Sequence, residues 1–212
     1  MATRRLDGLR RREQLLDAAL ECFATHGLLQ TGIEDVRRAA GASPSSVYHL
    51  FDGMPGLVAE LLKRTFERLL THLDTALSQA TTAEEAIVSL VRAHLEWVSG
   101  HREEARFMYQ AMALELAGDA QEEVLAAKEI AKGPIFAHLE RFVHAGDLPD
   151  WDFAVLEWVV LGPTHEACRR FLAGHGPDLS SASDLLPGLA WKAVTPLSPS
   201  RANDAEREHC GR

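Results

Sequence analysis

Apolar residues recur along this chain at helical spacing, and strand signals are weak throughout. Leu15, Leu16, Ala19, Leu20 and Phe23 form one stripe, and Gly27 supplies its C-terminal stop. A short helix is expected from about Ile33 to Ala40, closed by Gly41. Ser43-Pro44 reads as an N-cap followed by the first residue of a third short helix running to about Leu50. Beyond the Asp52-Gly53 turn, Leu57, Leu61, Phe66, Leu69, Leu70, Leu73 and Leu77 keep the spacing through one long helix. Further helices are expected near 83–99, 102–116, 120–145, 151–173 and 183–194. Gly133-Pro134 and Gly162-Pro163 should kink or split two of them, because proline lacks the backbone donor. The reading is all-α. A basic arm (1–8) precedes a three-helix unit (9–54), which a long helix joins to a larger helical domain (55–194). The tail 195–212, rich in Pro, Ser, Arg and Glu, is expected to be disordered.

With 212 residues, 46% of them hydrophobic, the chain can bury a real core. No apolar run reaches membrane-spanning length and no signal-peptide pattern follows the first residues, so a cytoplasmic protein with no membrane partner is expected. Cys22, Cys168 and Cys210 are isolated and odd in number, which argues against a disulfide framework or a zinc site. Ten histidines invite a metal reading, but no HExxH is present and His138 and His144, six apart, do not share a helix face. There is no G-x-S-x-G, no phosphate-binding glycine loop and no dinucleotide fingerprint. No enzyme, metal or cofactor chemistry is expected.

A net charge of −9 sits badly with nucleic-acid binding until its distribution is considered. Residues 1–51 carry seven arginines against six acids, a net +1, which leaves −10 for the remainder. Arg4, Arg5, Arg10, Arg11 and Arg12 lie in the first twelve residues, and Arg37 and Arg38 follow on the second short helix. All seven are candidates for phosphate contact.

The segment Thr31 to Phe51 carries the functional signal. Two short helices flank a Gly41-Ala42-Ser43 turn, the layout of a helix-turn-helix. Ile33, Val36, Val47 and Phe51 are spaced to bury the inner faces, which leaves Ser45, Ser46, Tyr48 and His49 on the outer face of the second helix. Such a helix can enter the major groove, with its N-terminus toward a phosphate.

The linked positions Leu15-Leu16, Ala18-Ala19, Phe23, Gly27, Thr31, Ala40-Gly41-Ala42-Ser43, Tyr48-His49, Phe51 and Gly56-Leu57 resemble the DNA-binding module of the tetracycline-repressor (TetR) family over about residues 9–62. Leu161 to Gly174 is similar to the penultimate helix of some members. The resemblance implies that Thr31 caps the second helix and bonds a phosphate. It implies also that Ser43 caps the recognition helix, and that Pro44, Ser45, Ser46, Tyr48 and His49 face DNA. Two positions depart from the pattern. Ser45 stands where many members have glycine, and Met54 where many have a phosphate-clamping lysine.

In the larger domain, Trp97, Phe107, Met108, Met112 and Trp158 suit core packing or the wall of a ligand pocket. His94, Glu115 and His165 are candidates for its polar groups. The resemblance implies a ligand-responsive repressor on a palindromic double-stranded operator, with an unknown small-molecule effector. It implies a homodimer through the last two helices, for which Leu156, Val160, Phe171, Leu172, Leu185, Leu186, Leu189 and Trp191 are apolar candidates for core or interface. The alternative is a helical ligand-binding or interaction protein that has lost sequence-specific DNA binding.

Overall fold

The computed structural model describes residues 2–114 and 119–195, with the side chains of 2–6, 44–46 and 119 excepted. Among these residues there are nine α-helices, one short 3-10 turn and no strand. The helices are α1 (Ala2–His26), α2 (Ile33–Ala39), α3 (Pro44–Leu50), α4 (Gly53–Leu77), α5 (Ala83–Gly100), α6 (Arg102–Ala113), α7 (Asp119–His144), α8 (Phe153–Leu172) and α9 (Leu179–Val194). The all-α expectation is met. α1 takes in residues 2–8 of the segment read as an arm, and a 3-10 turn at Leu28–Gln30, unmarked in the apolar pattern, links it to α2. The segment 195–212, expected to be disordered, lies from residue 196 on outside the described residues.

Local chemistry accounts for the helix ends. Gly41 follows α2 at φ +58°, and its N–H reaches Arg38 O while Ala42 N–H reaches Arg37 O. This is a left-handed helix stop that favours glycine. Thr82 opens α5 with a reciprocal cap: its hydroxyl accepts from Glu85 N–H, and the Glu85 carboxylate accepts from the Thr82 N–H. Asp152 and Asp178 cap α8 and α9 in the simpler way. Pro134, Pro163 and Pro187 lie inside α7, α8 and α9, and none of the three helices is split. Each proline costs its helix one backbone bond without ending it.

α1, α2 and α3 close a small unit around Leu15, Leu16, Ala19, Phe23, Val36, Ala42, Val47 and Phe51, all buried. α4 leaves this unit and packs along α7 and α5, while α9 lies against α5 and α8. α6 returns to touch both α1 and α4. The core runs unbroken from the small unit into the larger bundle. Cys22 and Cys168 are buried within it. No described helix is long and apolar enough to cross a membrane.

Candidate nucleic-acid interface and interior pocket

α3 is the outward helix of the small unit. Val47 and Phe51 are buried at 1% and 4% exposure, whereas Tyr48 is 60% exposed and His49 is also exposed. Burial of one face therefore fixes which side chains the other presents. Pro44, Ser45 and Ser46 occupy the first turn of α3, and Ser43 is its exposed N-cap residue. The side chains of residues 44–46 lie outside the described set.

Thr31 does not take the position expected of it. It is buried, and its hydroxyl donates to Gly27 O at 2.9 Å and Cys22 O at 3.3 Å, tying the end of α1. The N-cap of α2 is Gly32, whose N–H donates to the Asp35 carboxylate at 2.9 Å. A buried hydroxyl must find a partner, and this one bonds two carbonyls at the end of α1 rather than an amide of α2.

The arginines divide. Arg37 pairs with Glu34 at 2.6 Å and donates to Ala42 O at 3.0 Å, so it braces the turn of the motif. Arg12 pairs with Glu60 of α4 and lies over the Phe51 ring. Both are spent on the fold. Arg10 and Arg38 are exposed, Arg38 with only a 3.7 Å pairing to Asp35, and Arg11 is half-buried beside Gln14. Arg4 and Arg5 lie on the first turns of α1, their side chains outside the described set. Met54 is half-buried against the core, in the first turn of α4.

The interior of the larger domain holds a polar cluster. His94 (α5) is 2% exposed, with Nε2 3.2 Å from the Tyr109 hydroxyl (α6) and its ring 4.9 Å from that of His165 (α8). The Cys168 thiol lies close enough to the Tyr109 hydroxyl for each to influence the other's ionisation. Burial holds the His94 imidazole neutral, its pKa pushed down to about 3, with nearby His165 adding to the shift. His165 is lowered too, by burial first. Burial raises the Tyr109 phenol and takes the Cys168 thiol up to about 12. Among the described residues, His94 Nδ1 and the buried Thr164 hydroxyl have no hydrogen-bond partner.

Two clefts open between helices of the same domain, neither lined by a residue of this cluster. One, of about 40 Å³ between α4, α5, α7 and α8, has apolar walls such as Leu73, Ile87 and Leu156, with Lys132 and Glu157 at its margin. The other, of about 170 Å³ between α4, α6 and α7, includes Leu62, Phe66, Met112, Val124 and Lys128. Lys128 and Lys132, one turn apart, thus belong to one inward stripe of α7.

The pocket residues expected from sequence are only partly brought together. His94 and His165 meet, and Met112 borders the larger cleft although 53% exposed. Trp97 is buried but stacks on His101, Met108 packs in the core, and Phe107 stacks on Phe23. Trp158 is 68% exposed on α8, since an aromatic ring alone does not reveal which face of a helix is covered. Glu115 lies outside the described residues. Lys128, Lys132 and Glu157 were missed. The lysines carry a signal, four apart and hence on one helix face, but lysine ordinarily marks a solvated face.

Comparison with known proteins matches residues 15–61 to the family described as bacterial regulatory proteins, tetR family. The HTH-type transcriptional regulator BetI of Brucella canis is 31% identical over 86 residues, which are 41% of this chain and 43% of that protein. The chain thus matches less than half the length of this curated relative. Over the whole fold, a TetR family transcription regulator from Marinobacter aquaeolei superposes with a TM-score of 0.73 at 19% identity, covering 91% of this chain and 98% of that one. FadR of Bacillus subtilis, solved in complex with stearoyl-CoA, gives 0.72 at 16% identity over 86% and 98%. Residues 15–61 thus carry the N-terminal module of the tetR family of bacterial regulatory proteins, and the chain behind it shares the fold of solved TetR family regulators.

Proposed function

We propose that this protein is a ligand-responsive, homodimeric transcriptional repressor of the cytoplasm that binds a palindromic operator through α3. The observation that carries the reading is the division of α3, with Val47 and Phe51 in the core and Tyr48 and His49 outward. Tyr48 packs on the sugar-phosphate wall and the short residues of the first turn approach the backbone. Arg10 and Arg38, with Arg4 and Arg5, supply the counter-charge that Arg12 and Arg37 do not.

Dimerisation uses the outer faces of α8 and α9. Trp158, Val155, Leu185 and Leu189 are all exposed apolar residues there, at 68%, 39%, 59% and 47%. Such an apolar patch is expected at a two-fold interface. Leu156, Val160 and Leu172 face the core instead.

The effector enters the interior between α4 and α8, as stearoyl-CoA accompanies the similarly folded FadR. It acts by differential affinity for two spacings of the reading heads. α6 is placed to relay the change, since Phe107 touches α1 while Tyr109, two residues on, touches His94.

The test is titration of the purified protein onto a duplex from its own upstream region at several salt concentrations. Specific binding that weakens steeply with salt is expected. A protein that binds no duplex, or binds all duplexes alike, refutes the reading.

A further inference from the structure

Lys128 and Lys132 sit one turn apart on α7 but differ in their partners. Lys132 is buried, and its ammonium donates to Glu157 at 2.6 Å and to Glu129 at 3.1 Å. Lys128 lies 5.3 Å from the centre of the Phe66 ring. Among the described residues no carboxylate is within ion-pair distance of it. Burial lowers its pKa, and the positive charge of Lys132 lowers it further against the pull of Glu157 and Glu129. A cation in this state is short of counter-charge. Taking an ammonium out of water is costly unless an anion meets it.

The space beside Lys128 is apolar. Leu62, Phe66, Val124 and Leu125 line a cleft of about 170 Å³ with the lysine at its margin. An apolar cavity of roughly 150 Å³ accepts a benzene-sized molecule. The site thus offers room for a short hydrocarbon chain and one positive charge. His165, whose pKa responds to both lysines and to Glu157, connects the cleft to the His94–Tyr109 cluster.

We propose that the effector is an apolar molecule bearing one acidic group, the acid paired with Lys128 and the hydrocarbon in the cleft between α4, α6 and α7. This rests on the reading of the interior as the effector site. It adds the sign of the ligand's charge and the residue that selects it. The counter-charge for Lys132 comes from within the protein, whereas that for Lys128 comes with the ligand.

The experiment is calorimetric titration of the full chain, without DNA, with octanoate, octyl phosphate and octan-1-ol. The two acids distinguish a carboxylate head from a phosphate, and the alcohol keeps the chain without the charge. At least one acid is expected to bind tenfold or more tighter than the alcohol. In Lys128→Met, which keeps the length and apolar stem, that preference is expected to collapse to under threefold with the alcohol unchanged. Thermal melting of the variant checks that it is folded. An alcohol that binds as well as both acids, or a preference that survives Lys128→Met, overturns the proposal. No binding by any of the three overturns it too. Operator binding, measured separately without ligand, decides the regulator reading independently.

Discussion

The rings of Phe23 and Phe107 stack at 5.5 Å between centroids with only 8° between their planes, joining α1 of the small unit to α6 of the larger domain. Both side chains are buried, at 3% and 2% exposure. Three ion pairs join α1 to α4 nearby, Arg64 with Glu13, Arg64 with Asp17 and Arg12 with Glu60, and a fourth, Arg68 with Glu104, joins α4 to α6. Glu13 and Asp17 are exposed, and exposed pairs contribute little, whereas both rings of the stack are buried. Such a pair adds about 1 kcal/mol beyond the area it buries. Phe107→Leu should therefore cost about 1–2 kcal/mol in urea unfolding. It should also shrink the drop in operator affinity that ligand produces, because Tyr109 moves with the same helix. Unchanged ligand response in a destabilised Phe107→Leu would place the relay elsewhere.

Tyr48→Ala separates DNA contact from folding. Tyr48 is 60% exposed, so its removal should leave the melting temperature within a degree or two of wild type. Operator affinity should fall by roughly tenfold, the loss of one good contact. Fluorescence anisotropy with a labelled duplex reads the one, and calorimetry the other. The converse substitution, Val47→Ala on the opposite face, should cost about 1–3 kcal/mol of stability. If Tyr48→Ala binds as wild type does, α3 is not the reading helix.

The small unit was legible because every level of the sequence agreed there. The N-cap and proline of α3, the glycine after α2 and the buried pattern of Val36, Val47 and Phe51 all specify one arrangement. Thr31 was misplaced because spacing cannot say which of two helix ends a hydroxyl will bond. The interior site was only half legible for a different reason. Its members lie on α5, α6, α7 and α8, and which face of each helix meets the others depends on packing between segments distant in sequence. His94 and His165 stood out as polar residues in apolar stretches. Lys128 and Lys132 read as surface, because a long aliphatic stem with a charged end fits either place.

Trp158→Asp tests the dimer face. Trp158 is 68% exposed in the single chain, so a charge there should leave the fold intact. If α8 and α9 pair across a two-fold axis as proposed, the charge is buried in an apolar interface and should dissociate the dimer. Sedimentation at micromolar protein is expected to show a monomer, with operator affinity reduced at least a hundredfold because only one half-site is read at a time. A variant that remains dimeric would remove α8 from the interface.

The buried imidazoles set a pH dependence. His94 has a folded pKa of about 3, below its unfolded value, because burial disfavours the charged ring. Between those two values the unfolded chain binds a proton that the folded chain does not, so stability rises with pH across that window. The contribution is complete above the unfolded value near 6.5 and is lost progressively as pH falls toward 3. His165, also lowered mainly by burial, acts in the same direction. The limiting slope is about 1.4 kcal/mol per pH unit for one such histidine. Urea unfolding between pH 7 and pH 5 should therefore show a marked loss of stability for wild type. His94→Gln, which can still hydrogen-bond Tyr109 but does not titrate, should flatten part of that slope while lowering stability at pH 7. An unaltered slope in His94→Gln would mean that His94 titrates alike in the folded and unfolded chains and is not kept neutral by burial.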